Sequence, residues 1–149
     1  MSAVDYEADF HAWTQRQADA LRRRAAGELV NETELDWGNL AEEIESAGRS
    51  EKHEIRSRLE ILLIHLLKWR HDPDFRSNSW RASIHEARRR IELILIDSPS
   101  LRAFPAQALD GAYRLALLNK EVRGLSFASD LPAACPWAVE DVLDEDFLP

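Results

Sequence analysis

The sequence predicts an all-α fold, a single-domain helical bundle of four to six helices built on a central antiparallel helical hairpin. Three observations predict it. Between Gly27, Pro73, Pro99, Pro105, Gly124, Pro132 and Pro136 the apolar residues recur at steps of three and four, the helical period, and no segment alternates as a strand would. The segment "ILLIHLLKW" (61–69) places apolar residues on all sides of a helical wheel, which suits the centre of a bundle. Finally, matching apolar stripes flank Pro73, a residue that cannot continue a helix.

The first helix is expected from about Asp5, as N-cap, to about Ala26, with Tyr6, Phe10, Trp13, Gln17 and Leu21 along one side and Gly27 as its stop. Asp36 can cap a second helix whose apolar line reads Trp37, Leu40, Ile44, Ile55, Leu59, Leu62, Leu66 and Trp69. The patch "SAGRSEK" leaves open whether this is one long helix or two stacked pieces. Pro73 biases Asp72 toward an extended conformation, and Ser77 or Asn78 can cap the next helix, roughly Ser79 to Ile96. That helix carries Trp80, Ile84, Ala87, Ile91 and Ile94. Folded back across a short turn, the arms place Trp69 opposite Trp80, Leu66 near Ile84, Leu62 near Ala87 and Leu59 near Ile91. Downstream, Ser98 and Pro99 read as the N-cap and first position of a helix, and "FPAQALDGAYRLALLNKEV" as a helix with Ala108, Tyr113, Ala116 and Leu117 inward. "CPWAVEDVL" reads as a short last helix with Pro136 at its start.

A length of 149 residues with 45% hydrophobic and 31% charged residues fits one globular domain, 1–149, with a core large enough to stand without staples. The lone Cys135 excludes an intrachain disulfide and is compatible with a reducing compartment. The start "MSAVDYEADF" lacks a basic-then-apolar leader pattern, and no apolar run approaches the ~20 residues that span a bilayer. A soluble, cytoplasmic protein with no membrane contact is expected.

The net charge of −8 is unevenly distributed. Residues 1–51 hold 5 cationic and 12 anionic side chains (−7), residues 52–90 hold 10 and 5 (+5), and residues 91–149 hold 4 and 10 (−6). A basic middle between acidic flanks has two readings. Either the arginines pair internally with "AEEIE" and "EDVLDEDF", or they form a cationic binding face.

Familiar catalytic patterns are absent. No histidine has Glu or Asp three residues before it, no two histidines stand four apart, and the five glycines are scattered singly, so di-metal bundle, zincin and phosphate-loop signatures are excluded. No nucleophile elbow surrounds a serine. No metal and no cofactor is expected. His65 and His85 on facing arms, with His71 at the bend, form only a weak metal candidate. Glu42, Glu43 and Glu45 read as solvated or ion-paired with the second arm, with general acid/base work the less favoured reading.

One constellation rises above this background. Trp69, Arg70, His71, Arg76, Ser77, Asn78, Trp80 and Arg81 gather at the bend, extended by Arg88 to Arg90. Guanidinium forks suit phosphate or carboxylate, a capped helix N-terminus offers N–H donors, and indoles stack on bases or guanidinium groups. The alternative is purely structural: the indoles close the hairpin, Asn78 caps the helix, and the arginines pair with Asp72, Asp74 and Glu86. The candidate binding residues are therefore Trp69, Arg70, Arg76, Asn78, Trp80 and Arg81.

The segments "YEADFHAWTQRQADALR", "LDWGNLAEEIESAGRSEK", "RLEILLIHLLKW", "RSNSWRASIHEARRRIE", "DSPSLR" and "CPWAVEDVLDEDFLP", in this order over nearly the whole chain, resemble the bacterial family of domains of unknown function number 29. Gly38 stands where the family pattern "LDWENLAEEIE" has an acidic residue, and Ala138 and Val139 replace the middle of "CPWTLEQVLD". The resemblance implies a small all-helical protein and no established activity, cofactor or catalytic residue. Two functions remain. The favoured one is a non-enzymatic binding or assembly module, compatible with a homo-oligomer, that turns the basic bend toward an anionic partner such as nucleic acid or an acidic protein segment. The alternative is a hydrolase or nuclease-like enzyme with Glu43 or His65 as base and Arg81 as an electrostatic clamp.

Overall fold

The structure, a computed structural model, describes residues 3–126 and 128–149, with side chains from Tyr6 onward. It is all-α, with seven α-helices, four short 3-10 segments and no strand among the described residues. The chain divides into two compact units, Met1–Arg49 and Ser50–Pro149, each described by itself.

In the first unit the single helix expected over 5–26 is two. Helix α1 spans Ala3–Ala8 and α2 spans Phe10–Ala25. Asp9 interrupts them at φ −150°, ψ 87°, and its side chain accepts the Ala12 N–H at 3.0 Å. The short carboxylate offers the backbone an alternative to the helical ladder, so Asp9 takes the capping role and Asp5 lies inside α1. Gly27 ends α2 at φ +87°, with Glu28 N donating to Arg23 O and Gly27 N to Arg24 O, the paired bonds of a Schellman stop. Of the expected face, Trp13 and Gln17 are buried, whereas Phe10 and Leu21 remain 49% and 40% exposed. Gln17 is tolerated inside because both ends of its amide are used: Nε2 donates to Glu34 O at 3.0 Å and Oε1 accepts Asp36 N at 2.8 Å.

Helix α3, Trp37–His71, runs unbroken through Gly48 for 35 residues, about 52 Å at 1.5 Å per residue. Asp36 caps it as expected, holding the backbone and side-chain amides of Asn39 and accepting the Trp13 indole N–H. The Asn39 side-chain bond holds the Asp36 carboxyl below its usual range. The front of the expected apolar line is not buried: Trp37 and Ile44 are 55% and 74% exposed. The buried stripe begins at Ile55 and continues through Leu59, Leu62, Leu63, Ile64, Leu66, Leu67 and Trp69. Ile61 stays partly exposed, so the helix is apolar on most sides here rather than all.

In the second unit α3 ends before Pro73, a 3-10 turn spans Pro73–Phe75, and α4 runs Asn78–Asp97. Ser77, not Asn78, is the N-cap, its hydroxyl accepting Trp80 N at 3.2 Å. Ile84, Ala87, Ile91 and Leu95 of α4 share one core cluster with the α3 stripe. Lys68 lies over Trp80 and Arg81 over Trp69 at the bend, and the Ser98 hydroxyl donates to Glu51 at 2.5 Å at the other end. The residue numbers of each such pair total nearly the same, as an antiparallel hairpin requires, and they match the register drawn from the stripes.

Helix α5 (Phe104–Leu118) adds Phe104, Ala108, Leu109, Ala112, Tyr113 and Ala116 to that core, and the short α6 (Lys120–Arg123) adds Val122. The Ser98–Pro99 start yields only a 3-10 turn, Pro99–Leu101, ahead of α5. Helix α7 is Val139–Leu143 and begins three residues after Pro136, behind an extended Ala138. No described helix is long and apolar enough to cross a membrane.

Candidate functional site

The end of α3, the Pro73 turn and the start of α4 surround an open groove of about 480 Å³ lined by Trp69, Arg76, Ser77, Asn78 and Arg81. Each element contributes for a local reason. Pro73 stops α3 and leaves its last carbonyls without helical donors. Arg76 satisfies one of them, Nε donating to Trp69 O at 2.8 Å, so the side chain caps α3 while its outer nitrogens face away from that bond. Its guanidinium carbon lies 5.0 Å from the Trp69 ring centroid, and that of Arg81, on the first turn of α4, lies 5.2 Å from it. Two cations thus share one indole. Trp69 is 8% exposed, so its work is to hold guanidinium groups rather than to present a free stacking face.

Neither Arg76 nor Arg81 forms an ion pair among the described residues, although both are exposed. The pairing expected with Glu86 goes elsewhere: Glu86 takes Arg90 at 2.9 Å and Arg89 at 3.4 Å, and the Arg90 bond pulls its carboxyl below the ordinary range. Asn78 opens α4, whose first N–H groups precede the intrahelical ladder and whose dipole favours an anion. Trp80 points to a different neighbourhood, half-buried beneath Lys68 Nζ at 4.7 Å, with Lys68 also 3.5 Å from Glu121. Arg70 is exposed on the last turn of α3, outside the groove lining.

The "RRR" run does not extend the cationic surface as expected, because Arg88 turns inward. It is 5% exposed and donates to three carbonyls of the C-terminal segment: Val142 at 2.9 Å, Glu145 at 3.3 Å and Phe147 at 2.7 Å. The predicted partners in "EDVLDEDF" are therefore main-chain oxygens, not carboxylates. Burial lowers the Arg88 pKa, against the pull of Asp144, Glu145 and Asp146. A signal existed: Arg88 falls on the Ile84–Ile91–Leu95 stripe, at helical spacing from each.

Each catalytic candidate makes a local bond. Glu43 accepts the Tyr6 hydroxyl, a bond that raises the tyrosine pKa, and Glu42 and Glu45 pair with Arg49 on their own helix. His65 Nδ1 lies 2.8 Å from Ile61 O; a carbonyl only accepts, so that nitrogen donates. His71 is pulled down in pKa by burial, and by neighbouring Arg70. No three described His, Cys, Asp or Glu side chains come close enough together to hold a metal ion. Cys135 is half-buried, its thiol 3.5 Å from Trp137 O and raised in pKa by burial.

No curated protein and no solved structure matches the chain significantly. The model of one family does, over residues 6–148: the chain belongs to the family described as domain of unknown function DUF29.

Proposed function

We propose that the protein is a non-enzymatic binding module whose hairpin bend captures an anionic partner, with an acidic protein segment favoured over nucleic acid. One observation carries the reading: Arg76 and Arg81 are both braced on Trp69 at the mouth of an open groove, and neither is neutralised by a carboxylate of the described chain. Bracing lowers the entropy lost when a guanidinium fork closes on a carboxylate, so the groove is organised before the partner arrives. One feature favours a peptide over a polynucleotide: the indole between the arginines is buried and offers no platform for a base. A cytoplasmic setting accords with the single half-buried thiol.

The test is titration of a short Glu-rich peptide and, in parallel, a single-stranded oligonucleotide, followed by fluorescence anisotropy. Peptide binding that weakens with salt, and falls at least ~10-fold in Arg81→Glu and further in Arg76→Glu/Arg81→Glu, is expected. Arg81→Glu alone leaves the Arg76 cap on α3 in place, so loss of binding there is not loss of fold. Equal peptide binding by wild type and Arg81→Glu sinks the reading, and tighter oligonucleotide than peptide binding reverses the partner class.

A further inference from the structure

We infer that the acidic segment captured by the groove is the C-terminal segment of a second copy of this chain, so that the module pairs with itself. The inference rests on the binding reading above and adds the identity of the partner. The complement to the groove is present in the same unit. Glu140, Asp141, Asp144, Glu145 and Asp146 are exposed, and none of these five carboxylates forms an ion pair among the described residues. Arg88 does not discharge them, because its three bonds go to the carbonyls of Val142, Glu145 and Phe147. What Arg88 does is fix the backbone that carries them, with Asp144 further bracing the turn by accepting Asp146 N at 2.8 Å. The acidic segment is therefore as preorganised as the groove.

Position makes the two patches self-complementary. Arg81 and Arg88 stand seven residues apart on α4, hence on nearly the same face and about 10 Å apart along its axis. The cationic groove lies at the start of α4, the anionic segment is tied to the same helix at Arg88 with Glu145 beside Ile91 and Glu92, and no ion pair joins the two among the described residues. Turning a second copy by a two-fold rotation brings each groove onto the other's acidic segment, and both contacts close together, as an isologous interface requires. A docked Glu145 or Asp146 carboxylate would accept charge-assisted bonds from the outer nitrogens of Arg76 and Arg81.

The experiment is sedimentation velocity on the full chain at low and high salt. Wild type is expected to dimerise with an affinity that weakens at least ~10-fold between about 50 and 500 mM salt. Arg81→Glu alone and Glu145→Lys/Asp146→Lys alone should each be monomeric while keeping the helical circular dichroism of wild type. An equimolar mixture of the two should form a heterodimer, because one of its two contacts is the native one and in the other the introduced glutamate meets the introduced lysines. A wild type that stays monomeric at low salt, or a mixture that fails to pair, overturns the inference. If wild type stays monomeric yet the Glu-rich peptide still binds and is lost in Arg81→Glu, self-recognition falls while the groove's function stands; if neither the peptide nor a second copy binds, both fall.

Discussion

Replacing Arg88 by Met should cost the second unit about 2–4 kcal/mol. The guanidinium makes three hydrogen bonds, and each bond to a charged group contributes roughly 1.5–3 kcal/mol when its partner would otherwise be left unpaired. The full sum is not expected. The bonds to Glu145 and Phe147 are only partly buried, so water replaces part of what is lost, and methionine removes the cost of burying a cation. The bond to Val142 is buried, and its carbonyl has no comparable substitute. At ~2–4 °C per kcal/mol the melting temperature should fall by about 5–15 °C. Urea denaturation followed by circular dichroism gives the free energy. Trp137 fluorescence reports the C-terminal segment, since its ring packs edge-on against Phe147 at 6.0 Å. A change below about 1 kcal/mol, with Trp137 emission unaltered, would refute the view that Arg88 holds the C-terminus down.

Leu62→Ala, at a fully buried position facing α4, should destabilise by about 2–5 kcal/mol in the same denaturation experiment. Gly27→Ala forces a Cβ into φ +87° and should cost about 1 kcal/mol, read as a shift in urea midpoint at unchanged slope. Asp36→Ala removes the α3 cap and the acceptor of the Trp13 indole, for a loss of about 1–2 kcal/mol. Because the folded-state pKa of Asp36 lies below its unfolded value, its contribution is present above about pH 4 and fades as pH falls through the folded value. Acid titration should therefore show wild type and Asp36→Ala converging in stability at low pH, and a constant gap would contradict the assignment.

Legibility of the fold followed how local its causes were. The hairpin was readable because Pro73 is a hard stop and the α3 and α4 stripes can be laid against each other residue by residue. The Asp36 cap and Gly27 stop were readable for the same reason, since each rests on one side chain and its neighbours. The break at Asp9 was not, because an aspartate inside an apolar-periodic run caps or continues according to whether tertiary packing rewards the unbroken helix. Trp37 and Ile44 kept the apolar spacing without being buried, and periodicity alone does not state what covers a stripe. At the site, composition showed that cations and indoles gather at one bend but not how they divide the labour. Trp69 braces Arg76 and Arg81 while Trp80 serves Lys68, and of three consecutive arginines only Arg88, on the buried stripe, turns inward.

The most direct test of the groove is an NMR titration of the isotope-labelled chain with the Glu-rich peptide, observing the Trp69 indole N–H, the Arg76 and Arg81 Nε–H groups and the Ser77–Arg81 amides. These resonances are expected to move together in one saturable step that high salt suppresses. Shifts centred instead on the other exposed cation pair, Lys52 and Arg56 over Phe104, with the Trp69 and Arg81 signals unmoved, would contradict this expectation.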